Sequence, residues 1–121
     1  MKKNMNYPKL KITNKLYQLS NEDYFDLHPL LTPEEIEKEF AGRTKSARTI
    51  QRIYKNAGLK SSRQCYLELR NDSYAIADLE VDADTWMAHF EEQYEIERQK
   101  IKKRIWGRIR RVEDFYRNGD L

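Results

Sequence analysis

A mainly α-helical fold is predicted by three features of this 121-residue chain. Helix-start signals stand at Thr32 and Ser46, each followed by apolar residues at helical spacing. Apolar residues then recur at steps near four or seven from Trp86 to Tyr116, the pattern of one long amphipathic helix. Hydrophobic residues make up 39% of the chain beside 36% charged ones, which suffices for one modest core and excludes a disordered polyelectrolyte. The expected architecture is a flexible basic arm over 1–13, a helix-turn-helix domain over 14–63, and a segment 64–121. That last segment holds a short β-hairpin and a long amphipathic helix for packing or oligomerisation.

Taken in order, residues 1–13 are polar and basic and contain Pro8. Leu16, Leu19, Phe25, Leu27 and Leu30 supply anchors for a first helix within 13–27. His28-Pro29 ends it, because the residue before proline avoids the helical region. Thr32 is an N-cap, Pro33 fits N1, and Glu35 at N3 completes a capping box. Leu31 and Ile36 have hydrophobic-staple spacing, and Ile36 and Phe40 share the inner face of a helix over 33–40. Gly42 marks a turn. Ser46 caps the next helix, whose stripe is Ala47, Ile50, Ile53, Tyr54 and Ala57, with Gly58 as the left-handed residue that closes it.

Over 65–81, Cys65, Leu67 and Leu69 alternate with other residues. Asn71-Asp72-Ser73 forms a turn cluster, and Tyr74, Ile76, Leu79 and Val81 follow. This predicts a β-hairpin, with two short helices as the rival. Asp82 or Asp84 caps the last helix, about 84–117, built on Trp86, Phe90, Tyr94, Ile101, Ile105, Ile109, Val112 and Tyr116. Glu97 or Arg98 interrupts its stripe. Gly107 costs about 1 kcal/mol against alanine in a helix interior. Either position can mark a bend.

The net charge of +3 hides a blocked layout. Residues 41–67 hold seven basic and no acidic side chains. Residues 72–97 hold nine acids and no Lys or Arg, and residues 98–111 hold eight basic residues and no acid. Such blocks set local fields that the total conceals.

Several classes are set aside. One cysteine, Cys65, allows no intrachain disulfide and no cysteine-based zinc site, and its plain reading is a small buried residue. No apolar run approaches a membrane span, and the basic start is followed by no apolar signal core, so a cytoplasmic protein is expected. His28 and His89 have no triad or metal-ligand spacing. Asp78, Glu80, Asp82 and Asp84 alternate, as a metal site on a strand would require, but read more simply as the acidic approach to a helix. No phosphate-binding loop or nucleophile elbow is present. The expectation is no enzyme, with no catalytic residues, no cofactor and no metal.

Two short helices joined by a Gly-containing turn form the helix-turn-helix layout. In the second, Arg48, Gln51, Arg52 and Lys55 fall at i, i+3, i+4 and i+7 and project one way. Arg pairs bidentately with guanine and Gln with adenine in the major groove, while Lys and Arg on a turn hold phosphates. The expected DNA-binding set is Arg43, Lys45, Ser46, Arg48, Gln51, Arg52, Lys55, Lys60 and Arg63. Ser46 enters through the backbone N–H groups of a helix N-terminus.

Thr32-Pro33-Glu34-Glu35-Ile36-Glu37-Lys38-Glu39-Phe40, followed by Arg48-Thr49-Ile50-Gln51-Arg52-Ile53, resembles the helix-turn-helix of small bacterial and phage DNA-binding proteins. Gly42 to Ala47 and Ala57-Gly58-Leu59 are similar to its Myb/SANT-like variant. The resemblance spans about 30–60, and the Ala41–Lys45 connection is longer than in the tight-turn prototypes. It implies sequence-specific binding of double-stranded DNA by a phage or mobile-element transcriptional regulator, or by a packaging or replication accessory factor. The competing class is an interaction protein that binds and inhibits a host protein machine, with the acidic 72–97 block imitating nucleic acid.

The C-terminal basic block admits three roles. Lys102, Lys103, Arg104, Arg108, Arg110 and Arg111, interleaved with Trp106, can form a second nucleic-acid surface. The helix 84–117 can instead bury its stripe against a second copy as a homodimer. A membrane-surface helix is disfavoured, because the stripe continues into the acidic half.

Overall fold

A computed structural model describes residues 15–76 and 82–118. Among these residues all regular structure is helical: α1 (Asn21–Leu27), α2 (Pro33–Glu39), α3 (Ala47–Asn56), α4 (Ser62–Ile76) and α5 (Ala83–Asn118). The arm expected over 1–13 lies outside the described residues. No described helix is long and apolar enough to cross a membrane.

The short helices begin where their caps dictate. Thr32 and Glu35 form the expected capping box, with Thr32 N–H donating to Glu35 Oε1 at 2.8 Å. Ser20 and Asp23 form a second such box at the start of α1, which fixes a helix whose limits the apolar pattern left open. Leu31 and Ile36 are both buried, as their staple spacing requires. Ser46 caps α3 through the Thr49 N–H. At its other end Gly58 has φ +76°. Gly58 N–H donates to Lys55 O and Leu59 N–H to Tyr54 O, each at 3.0 Å, which is a Schellman closure.

The hairpin expected over 65–81 is not formed: residues through Ile76 belong to α4, and 77–81 lie outside the described residues. Alternation over three residues at 65, 67 and 69 is too short to distinguish strand from helix. What decides the matter is Tyr66 and Tyr74, eight residues apart and therefore on one helical face. Tyr66 meets Phe90 and Tyr94 of α5 at ring separations of 5.9 and 5.0 Å, and Tyr74 meets Trp86 at 4.8 Å. Ser61 starts the helix by accepting the Gln64 N–H at 3.0 Å. The Asn71-Asp72-Ser73 cluster is carried within the helix on the strength of this packing.

α5 runs unbroken for 36 residues, about 54 Å at 1.5 Å per residue. Neither Arg98 nor Gly107 interrupts it. Asp82 caps it, accepting the Thr85 N–H at 2.9 Å. One core joins all three short helices to its second half. Tyr24, Leu27, Leu31, Ile36, Phe40, Ile50 and Tyr54 close around Ile101, Ile105 and Ile109. α1 touches both α3 and α5. The isoleucines expected to face either the core or a second copy are thus consumed within the chain.

Candidate nucleic-acid interface

Ile50 and Tyr54 turn one edge of α3 into the core, and the Tyr54 hydroxyl donates to Tyr24 O at 2.5 Å. Burial pushes the Tyr54 phenol well above its ordinary pKa, so it stays a donor. With that edge fixed, Arg48, Arg52 and Lys55 emerge on the opposite, exposed side. No carboxylate pairs with any of these three among the described residues. Lys45 is also exposed, with Nζ 5.7 Å from the centre of the Tyr24 ring, and Arg63 is exposed at the start of α4.

Other members of the expected set have structural partners. Arg43 reaches 70 residues along the chain to Glu113, with Nε–Oε2 at 2.6 Å and Nη2–Oε1 at 2.9 Å. Its guanidinium also lies over the Trp106 ring. Glu113 accepts a third bond from the Tyr17 N–H at 2.9 Å. The Arg43 guanidinium holds the Glu113 carboxyl below the usual carboxylate range, against the upward push of burial. Gln51 donates to Glu34 on α2 at 3.0 Å. Lys60 pairs with Glu68 at 2.8 Å on the surface. Ser46 is occupied as the cap, and the Ala47 N–H beside it donates to Glu37 Oε1 at 3.2 Å. A side-chain carboxylate therefore already serves one of the α3 N-terminal donors considered for phosphate.

The second basic block divides in the same way. Arg108 bonds Asp23, which is fully buried and also accepts from the Tyr17 hydroxyl and the Ser20 N–H. Lys102 lies 3.6 Å from Glu39, which also accepts from the Trp106 indole at 2.9 Å. Arg98, outside the expected set, grips Glu35 with two bonds and Leu30 O with a third at 2.7 Å. Lys103, Arg104, Arg110 and Arg111 are exposed and have no ion pair among the described residues.

Among the described residues, the long-range partners of the basic blocks are thus Asp23, Glu35, Glu39 and Glu113, and no described acid of 72–97 is among them. Side chains i and i+4 on a helix report local pairing, and nothing in one-dimensional spacing identifies carboxylates 60 to 90 residues away. No known protein family, curated protein or solved structure matches the chain.

Proposed function

We propose that the protein binds double-stranded DNA in a sequence-specific way, with α2 and α3 acting as a helix-turn-helix and α3 entering the major groove. Phage or mobile-element transcriptional regulation is the role this reading favours. One observation carries it: Arg48, Arg52 and Lys55 share one exposed face with no carboxylate partner among the described residues, while Arg43, Arg98, Lys102 and Arg108 are each held by a carboxylate of the fold. Unpaired guanidiniums meet guanine edges without first breaking an ion pair, and each bidentate contact is worth about 1–3 kcal/mol of discrimination. Lys45 and Arg63 flank this face and are suited to phosphates. Gln51 reaches adenine only by exchanging its bond to Glu34, so it adds less than the sequence pattern suggests.

Selection of bound duplexes from a random pool tests the reading. A recovered consensus several base pairs long is expected. Failure of the purified protein to retain any duplex at low salt overturns the proposal.

A further inference from the structure

The α3 face does not account for the outward side of α5. Lys103 with Arg104 and Arg110 with Arg111 form two cation pairs on one face of α5, seven residues apart. At 1.5 Å per residue the pairs are about 10 Å apart. Gly107 sits at their centre: four residues from Lys103 and Arg111, three from Arg104 and Arg110. Every helical neighbour of this glycine on that face is a cation with no ion pair among the described residues.

The fold itself does not ask for a glycine here. A Cβ at position 107 would meet nothing nearer than Arg111 Nη1, at 3.8 Å, in ordinary contact. Its φ lies outside the left-handed range, unlike those of Gly42 and Gly58. Glycine in a helix interior is destabilising, and its use where packing is open leaves close approach of a ligand to the backbone as its physical advantage. The surrounding cations give that ligand its sign.

We infer that the outward face of α5 is a second polyanion site, on which the sugar–phosphate backbone of a DNA duplex crosses at Gly107 between the two cation pairs. Lys103, Arg104, Arg110 and Arg111 hold its phosphates. α3 and α5 each turn an apolar edge to one core, so the cationic sides opposite those edges face away from each other. One molecule then holds two duplex segments at once and acts as a DNA bridge. This rests on the proposed α3–duplex contact for the first segment.

The test is capture of a fluorescent duplex by protein bound to a bead-tethered duplex. Wild-type protein should retain the bead duplex contact and capture the second. Four phosphate contacts give a salt slope of about −3.6, so capture should fall roughly 100-fold between about 50 and 200 mM salt. The K103Q/R104Q/R110Q/R111Q variant should still bind the beads and lose second-duplex capture. Gly107→Leu is the control against misfolding: it should melt no lower than wild type and yet lose capture, because its bulk fills the approach. If wild type binds no beads, the α3 reading and this inference fall together. If it binds beads and captures nothing, only the inference falls. Undiminished capture by either variant also overturns it and assigns bridging to a second copy of the chain.

Discussion

Replacing Glu113 with alanine should destabilise the protein by about 2–4 kcal/mol. The carboxylate accepts two bonds from Arg43 and one from the Tyr17 N–H, and its side chain is 8% exposed. Its removal leaves the backbone donor of Tyr17 and the Arg43 guanidinium without their partner. Breaking a buried ion pair costs about 3–5 kcal/mol, and the figure is reduced here because Arg43 retains 21% exposure and its contact with the Trp106 ring. At about 4 °C per kcal/mol for a chain of this length, the melting temperature should drop by roughly 8–16 °C. The folded carboxyl is held below its ordinary pKa, so its contribution is complete above the unfolded value of about 4.3 and is lost as pH falls through the lower folded value. Thermal melts of wild type and Glu113→Ala should therefore differ by a constant amount from pH 7 to about pH 5 and converge in stronger acid. A double-variant cycle with Arg43→Met, which keeps the aliphatic stem on Trp106, should give a coupling of about 1–3 kcal/mol. Strictly additive losses, or a difference that grows as pH falls, would refute the account of this pair.

Ile105→Ala removes a fully buried side chain where α5 meets the short helices, and should cost about 2–5 kcal/mol in urea unfolding. A loss near zero would mean that α5 does not share the core. Gly58→Ala meets no atom within 4 Å, so its whole cost is the positive φ, about 1–2 kcal/mol, measurable in the same assay. Tyr54→Phe should cost about 1 kcal/mol by removing the buried bond to Tyr24 O, with duplex affinity unchanged once the protein is folded.

What was legible in the sequence was what local chemistry decides. Thr32 to Glu35 and Ser46 to Gly58 carry their caps within a few residues, so α2 and α3 fall within a residue of expectation. The periodicity of α5 gave its bounds almost as closely. α4 was misread because Asn71-Asp72-Ser73 is turn-prone in isolation. The aromatic contacts that keep it helical lie with Trp86, Phe90 and Tyr94 on another helix. The candidate interface was half legible for the same reason. The outward projection of Arg48, Arg52 and Lys55 follows from helical spacing. The diversion of Arg43 to Glu113 and of Arg108 to Asp23 requires the tertiary fold. That diversion separates structural arginines from available ones, a distinction a charge run cannot express.

The most direct test of the account compares wild type with R48Q/R52Q/K55Q in fluorescence-anisotropy titrations of a duplex carrying the selected site, over a salt series. The three side chains are exposed and have no ion pair among the described residues, so circular dichroism should show an unchanged fold. Wild-type affinity should fall steeply with salt. The variant should lose preference for the selected site, with each lost guanine contact worth about 1–3 kcal/mol. Equal, site-selective binding by wild type and variant would contradict the claim that α3 reads DNA.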